Sequence, residues 1–199
     1  MASWWSITVP PTFQDVTAEA MANPAFQASL DKIKKEGGTV SAQFWASEDS
    51  VVLALDSRFP DMPKSLAVLE GFENGARKSS YGTGTEHSHR TEKTEFFLIG
   101  HQHATNSAGE VMWTQRWTGR GTDDALHSLG VACTGTEATC KAVLATVKVE
   151  PTSFVKLSSL PAKGERDIAY TIGYSVGAGL VLVFVLYALA KARQRARAT

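Results

Sequence analysis

One uncharged stretch near the C-terminal end constrains this chain more than any other part of its sequence. Residues 168–190 read IAYTIGYSVGAGLVLVFVLYALA and are bounded by Asp167 on one side and by a basic tail, 191–199, on the other. A helix rises about 1.5 Å per residue, so these 23 residues would extend roughly 35 Å, enough to cross a hydrocarbon core of about 30 Å. The segment is apolar on every face, as a lipid-embedded helix must be. We therefore predict a single transmembrane helix over 168–190.

The residues before this stretch suit one globular domain. Hydrophobic residues make up 43% of the chain and charged residues 20%, values typical of a folded protein. Residues 151–167 contain two prolines and no clear period, which predicts a linker between a domain over 1–150 and the membrane. Residues 1–167 hold all 20 acidic residues and 16 of the 20 basic ones. This negative balance, with no basic stripe, argues against nucleic-acid binding.

The signals for membrane orientation disagree. The N-terminal residues MASWWSITVPPTF include no basic region and no apolar run of signal-peptide length, which favours a tail-anchored chain with a cytoplasmic domain. The predicted span is preceded by only Lys163 and Arg166 but followed by four basic residues, and this favours an exported domain. Cys133 and Cys140 suit either side, as a disulfide in an oxidising compartment or as two buried thiols in a reducing one. We expect the cytoplasmic orientation and keep the exported one as the alternative.

The hydrophobic pattern of the domain predicts an α+β fold. Asn23-Pro24 is typical of a helix start, and Gly37-Gly38 of its end. The continuous apolar run over 51–55 predicts a strand at the centre of the sheet. The other predicted elements are strands over 4–9, 39–46, 96–104, 110–118 and 154–157, helices over 64–77 and 136–147, and a helical turn over 123–129.

The strands over 96–104 and 110–118 read as a hairpin with a four-residue turn at 106–109. Pairing across that turn predicts one core face and one opposite face. The predicted core face comprises Leu98, Ala104, Val111, Trp113 and Trp117. The opposite face comprises Phe97, Ile99, His101, His103, Met112, Thr114 and Arg116.

This order of elements resembles the PsbP-like fold, the family that includes PsbP and the DcrB group. The likeness rests on residues 4–13, where a strand leads into PP-x-F, on the meander FFLIGHQHATNSAGEVMWTQRW and on the closing helix CKAVLATVKVE. The resemblance implies an antiparallel sheet with helices packed on it, in a module that usually serves assembly rather than catalysis. It supplies no catalytic set, and the chain departs from the family pattern by carrying its own C-terminal span.

Four of the five histidines form two H-x-H pairs. Residues i and i+2 of a strand point to the same face, so each pair offers two imidazoles to one metal, with Glu86 or Glu92 as a carboxylate ligand. The other interpretation is a polar sheet face that becomes cationic below about pH 6.5. The candidate metal ligands are His87, His89, His101 and His103.

No motif in the chain indicates a reaction. The sequence contains no G-x-S-x-G, no Walker loop and no G-x-G-x-x-G between a strand and a helix. Gly82-Thr83-Gly84 reads as a turn, and Asp123-Asp124 reads as charge in the first turn of a helix. We therefore expect no enzymatic activity, no catalytic residues and no bound cofactor.

Gly173 and Gly177 form a G-x-x-x-G within the predicted span, a spacing that favours close packing on another helix. Our first hypothesis is a single-pass membrane-anchored accessory or assembly protein. Its partners would be the lipid bilayer and either a membrane protein or a second copy that packs on the span. The alternative is a membrane-anchored sensor that binds a metal or another ligand through the paired histidines. A membrane-bound hydrolase is a distant third hypothesis.

Overall fold

The computed structural model describes residues 3–164 and 166–178. Its elements in chain order are β1 (Trp5–Ser6), β2 (Gln14–Asp15), α1 (Thr17–Met21), α2 (Pro24–Lys35), β3 (Thr39–Ala46), β4 (Val51–Phe59), α3 (Leu66–Ser79), β5 (Thr85–Lys93), β6 (Phe97–Thr105), β7 (Val111–Arg120), β8 (Leu126–Thr134), α4 (Glu137–Leu144), β9 (Lys148–Val149) and α5, a helix over 166–178. Seven strands form one antiparallel sheet in the order β2-β3-β4-β8-β7-β6-β5, while β1 pairs with β9. The predicted α+β class with an antiparallel sheet is confirmed.

Helices α2, α3 and α4 begin where capping side chains satisfy free backbone N–H groups. The Asn23 side chain accepts a hydrogen bond from Ala25 N at 3.0 Å, and Pro24 occupies the first turn of α2, as predicted. Ser65 caps α3 and Thr136 caps α4 in the same way. None of the helices in the described residues is both long and apolar enough to cross a membrane. Residues 179–190, the second half of the predicted span, lie outside the described residues.

The sheet carries a hydrophobic core on each face. Helices α2, α3 and α5 cover one face, and α4 with the N-terminal segment covers the other. Strand β4 contributes to both cores because its side chains alternate, Leu53 and Leu55 to the first and Val52 and Ala54 to the second. It pairs with β3 and β8, so the predicted central position of this strand is confirmed.

The predicted hairpin is present between β6 and β7, but its register differs by one residue. The loop has five residues, 106–110, and the Asn106 side chain accepts hydrogen bonds from two backbone N–H groups within it. Trp113 therefore lies opposite His103, on the same face. A shift of one residue moves every side chain of a strand to the other face. Six residues of β7 therefore lie on the face opposite to the predicted one, when the faces are defined by the side chains of β6. They are Val111, Met112, Trp113, Thr114, Arg116 and Trp117.

Three other local predictions are corrected. The helical turn expected over 123–129 is wrong because Leu126 already begins β8, which pairs along its whole length with β4 and β7. The strand expected over 154–157 is reduced to a single bridge between Phe154 and Gly121. The strand expected over 4–9 pairs only at Trp5–Ser6. Long-range pairing, which local sequence does not encode, decides each case.

Residues 151–164, predicted as a linker, lie against the domain. Phe154 and Leu157 are buried in the cores on opposite faces of the sheet. The Leu66 backbone N–H at the start of α3 donates to the Pro161 carbonyl at 2.8 Å. This segment therefore holds the start of α5 close to the start of α3.

A disulfide joins Cys133 of β8 to Cys140 of α4. Both cysteines have no solvent exposure. Of the two alternatives left open by the sequence, the structure contains the disulfide. The bond ties α4 to the centre of the sheet.

We expect the purified, unreduced protein to show no reactive thiol after denaturation, and two after reduction, by mass spectrometry with N-ethylmaleimide. Cys133→Ser/Cys140→Ser should lower the free energy of unfolding by about 2 kcal/mol, because the bond restricts the unfolded chain. The corresponding fall in Tm is about 4–8 °C by circular dichroism. Two thiols reactive without reductant would contradict the disulfide.

Candidate functional site

A buried ion pair lies where α3 crosses the sheet. Arg116 of β7 is 1% exposed, and its Nη2 donates to Glu73 Oε1 of α3 at 3.0 Å while its Nε donates to Oε2 at 3.2 Å. A Cβ on Gly100 of β6 would overlap the Glu73 carboxylate, so glycine is required for the helix to come this close. Because either charge alone would be costly to bury, the pair specifies one position for α3 on the sheet.

Polar contacts extend from this pair toward the start of β5. Arg77 Nη1 donates to Glu86 Oε2 at 2.5 Å, and Gln102 Nε2 donates to Glu86 Oε1 at 2.8 Å. The Ser80 hydroxyl donates to Gln102 Oε1 at 2.5 Å. Burial alone would raise the pKa of Glu86, but the hydrogen bonds from Arg77 and Gln102 and the charge of Arg77 outweigh it and lower the pKa. The end of α3 is thus fixed on the edge strand by a carboxylate that stays ionised.

The four candidate metal ligands are divided between the two faces of the sheet. A β-bulge between Glu86 and Ser88 interrupts the alternation of side chains in β5. His89 lies on the α3 side, with Nδ1 3.3 Å from Glu86 Oε2. His87 lies on the opposite side, where its ring centroid is 5.0 Å from that of His103. The shared face predicted for His87 and His89 is therefore wrong, because a bulge adds one residue to the strand.

Three aromatic rings form a row across β5, β6 and β7 on the side away from α3. The His103 ring stacks on Trp113 with a centroid distance of 5.0 Å and an interplanar angle of 12°. His87 continues the row, and its Nε2 is 2.7 Å from the Thr105 hydroxyl. His101 shares this face with His103 because β6 alternates without interruption, as predicted. The H-x-H spacing thus holds for this second pair.

The geometry favours the polar-face interpretation of the histidines over the metal interpretation. Within residues 3–164 and 166–178, no three or more His, Cys, Asp or Glu side chains are arranged to hold a metal ion. A zinc site needs at least three protein ligands converging on one point. His87 Nε2 is instead directed at the Thr105 hydroxyl, and the ring face of His103 is stacked on Trp113.

A groove of about 560 Å³ lies over this face, between α4 and β5. We name it the histidine groove, and its main lining residues are Arg90, His101, His103, Trp113, Glu137 and Lys141. Trp113 supplies a flat apolar surface, while Arg90 and Lys141 supply positive charge. The groove therefore suits a small ligand with both a planar and a polar part.

His101 is the perturbed histidine of the groove. Burial and the positive charge of Arg90 lower the pKa of its imidazole, while Glu92 and Glu73 act in the opposite direction. Its Nε2 lies 3.9 Å from Glu92 Oε2, beyond hydrogen-bond distance, and is buried without a hydrogen-bond partner in the described part of the chain. The neutral imidazole is thus favoured at this position.

Asp123 belongs to a third polar cluster, at the turn before β8. Its Oδ2 accepts from Arg58 Nε at 2.8 Å, and its Oδ1 lies 3.0 Å from His127 Nε2. Burial would raise the pKa of Asp123, but these hydrogen bonds and one from the Ala125 backbone hold it well below its usual range. Asp124 has a φ of 63°, as required by a tight turn. Asp123 therefore stabilises a turn that contains Asp124, and neither aspartate lies in the first turn of a helix.

Gly173 and Gly177, the predicted helix-packing residues, lie in α5 against α3 of the same domain. A Cβ on Gly173 would overlap the Phe72 carbonyl, and a Cβ on Gly177 would overlap the Ala76 carbonyl. Glycine is therefore what allows the two backbones to approach this closely. The contact is within one chain, whereas the sequence analysis expected a partner helix.

The contact is reciprocal because α3 carries its own G-x-x-x-G at Gly71 and Gly75. A Cβ on Gly71 would lie 2.6 Å from the Arg166 carbonyl oxygen, and a Cβ on Gly75 would lie 2.7 Å from Tyr174 N. The sequence analysis missed these two glycines. Their four-residue spacing, typical of close helix packing, is the signal in the sequence that predicts this contact.

Breaking the buried ion pair should destabilise the fold strongly. Glu73→Gln leaves the Arg116 charge buried without a counter-ion, so the free energy of unfolding should fall by about 3–5 kcal/mol in urea denaturation. Removing both charges in Glu73→Leu/Arg116→Met should recover most of this loss. The matched control is Glu70→Gln, whose exposed partner is Arg166 and whose effect should stay below about 1 kcal/mol. Equal losses for Glu73→Gln and Glu70→Gln would contradict the role of the pair.

The His101 imidazole should titrate below its ordinary value of 6.5 in an NMR pH titration of the histidine ring signals. Arg90→Gln should raise this midpoint, because it removes the neighbouring positive charge. Glu92→Gln should lower it further. Lys78→Gln, an exposed change on α3, serves as the control and should leave it unchanged. An unchanged midpoint in Arg90→Gln would show that Arg90 does not act on His101.

Comparison with known proteins leaves the family of this chain open. No protein-family model matches the chain, and none of the curated proteins matches it significantly. The PsbP-like resemblance therefore stays a prediction from the order of elements. Functional conclusions for this chain have to come from its own residues.

Proposed function

We propose that this chain is a single-pass membrane-anchored accessory or assembly protein whose α+β domain acts by binding and not by catalysis. The observation that carries the proposal is the outer face of α5. It exposes Ile168, Tyr170 and Tyr174 to 53%, 36% and 46%, and the chain continues from there into the uncharged residues 179–190. The rings of Tyr170 and Tyr174 lie side by side with a centroid distance of 6.4 Å. Exposed apolar side chains and tyrosines are typical of membrane interfaces.

The proposal places the domain on the oxidising side of the membrane. The buried disulfide between Cys133 and Cys140 is typical of such compartments. The basic residues of 191–199 favour a cytoplasmic position for the tail. These two features agree with each other and oppose the cytoplasmic orientation expected from the N-terminal residues.

Partner binding is supported by the surfaces that the domain presents. The charged side chains buried under α3 form ion pairs and hydrogen bonds that position helix and sheet, so they support a structural role and not catalysis. The outer face of α5 and the histidine groove are two surfaces in the described part of the chain that are open to a partner. A PsbP-like assembly module is the family proposal that fits this arrangement.

A second proposal is that the histidine groove binds a small ligand, so that the protein acts as a membrane-anchored sensor. The buried, unpartnered His101 Nε2 in the described chain favours it, together with the flat ring of Trp113 and the positive charge of Arg90 in the lining of the same groove. Ligand-induced NMR shifts confined to these three residues would support this function. Shifts spread over the whole domain would not.

The membrane proposal predicts that the full-length chain stays in the pellet after alkaline carbonate extraction. Val183→Arg/Leu186→Arg should move it to the supernatant, because each arginine at the centre of a span costs about 3 kcal/mol. The matched control Lys191→Ala/Arg193→Ala changes charge outside the apolar stretch and should remain in the pellet. Release of the unmodified chain by carbonate would contradict membrane anchoring.

A partner is tested after solubilisation in mild detergent. We expect the anchored protein to elute as a complex, either with another membrane protein or with a second copy of itself. A lone monomer across a range of mild detergents would contradict the accessory role and leave anchoring intact.

A further inference from the structure

We propose that α3 is a receiving surface for the first half of the apolar C-terminal segment, and that docking on α3 and insertion into a bilayer are mutually exclusive arrangements of that segment. The inference rests on the proposed membrane anchoring of residues 168–190 and adds how the anchor is held by the domain.

The docked arrangement is built by two facing G-x-x-x-G pairs. Gly173 and Gly177 of α5 lie on the backbone of α3 at Phe72 and Ala76, and the two glycines of α3 lie on the backbone of α5. Later residues of α5 meet later residues of α3, so the helices run parallel. Parallel helices in close contact through small residues are typical of membrane proteins. The surface of α3 therefore matches the helix type that a span provides.

Contacts around the glycines hold α5 on the domain. Arg166 Nη2 donates to Glu70 Oε2 at 3.3 Å at one end, and Ser175 Oγ donates to Glu36 Oε1 at 2.7 Å toward the other. Ala169 is 0% exposed and Val176 is 4% exposed, both within the hydrophobic core. These residues fill a specific site on the domain, so α5 is more than a connecting helix.

Length makes the two arrangements exclusive. With α5 docked, 12 uncharged residues remain at 179–190, which would extend about 18 Å as a helix. A span needs about 20 residues, so at least about eight more must come from 171–178. This segment includes the residues that touch α3. α3 cannot follow them into the hydrocarbon core, because it carries charged residues such as Glu70 and Lys78.

Insertion therefore requires α5 to withdraw from α3. Residues 151–164 contact the domain through Phe154, Leu157 and Pro161. The chain therefore has to leave the domain after this segment. In the docked state, the glycines, Ala169 and Val176 are shielded from water. The domain thus shields part of its own anchor while no bilayer is available.

The exchange of α5 between docking on α3 and insertion into a bilayer is tested by cross-linking in the full-length chain. Glu70→Cys/Arg166→Cys places one thiol on α3 and one on α5 at the position of the surface ion pair. The native cysteines are bonded and buried, so a short bis-maleimide reports only the new pair. The docked sample is prepared by combining the cysteine pair with Val183→Arg/Leu186→Arg, which blocks insertion. The inserted sample is prepared by reconstituting the cysteine-pair variant, without the two arginines, into phosphatidylcholine–phosphatidylglycerol vesicles.

We expect a high cross-linking yield in the insertion-blocked chain and a yield at least fivefold lower in the vesicles. The matched control is Asp31→Cys/Lys34→Cys within α2, whose side chains are also in contact and whose yield should be the same in both samples. Gly71→Ala provides a second variant, since its Cβ would meet the α5 backbone and should lower cross-linking of the blocked chain severalfold.

The outcomes separate the two proposals. Equal cross-linking in the blocked and inserted chains, with the inserted chain resistant to carbonate, would overturn the exchange and leave membrane anchoring intact. Absence of cross-linking in the blocked chain would overturn docking on α3. A chain that does not enter the vesicles at all would overturn the proposed function, and the exchange with it.

Discussion

The position of α3 depends on an ion pair buried between it and the sheet. Glu73 meets Arg116 on the side of the helix that faces β7, and Gly100 leaves the room for this contact. Residues 71 and 75 lie on the opposite side of the same helix, where they receive α5. A shift of α3 would therefore unpair a buried charge and also separate the backbones of the two helices. One polar contact in the interior thus supports the surface on which the C-terminal segment packs.

Two features of the strands bring His87, His103 and Trp113 onto one face of the sheet, and the last two of these residues line the histidine groove. The bulge in β5 turns His87 toward His103, and the five-residue loop before β7 brings Trp113 onto the same face. Without the bulge, His87 would share a face with His89, and without the extra loop residue, Trp113 would lie on the side opposite His103. The groove then exists because α4, tied to the sheet by Cys140, covers only part of that face.

Much of the fold could be predicted because its signals are local. The cap at Asn23 and the proline after it mark the start of α2, and the unbroken apolar run in β4 marks a central strand. The candidate site was less predictable. Its faces depend on loop length and on one extra residue in β5, and neither changes the hydrophobic pattern of the sequence enough to be read from it.

Residues 168–190 show the same division. The sequence by itself determined that this stretch is uncharged, long enough to span a bilayer and provided with glycines at the spacing of close helix contacts. Only the tertiary structure decided that these glycines meet α3, because the matching pair at Gly71 and Gly75 lies about a hundred residues away in the chain. Composition and length are properties of a segment, whereas the partner of a surface is a property of the folded chain.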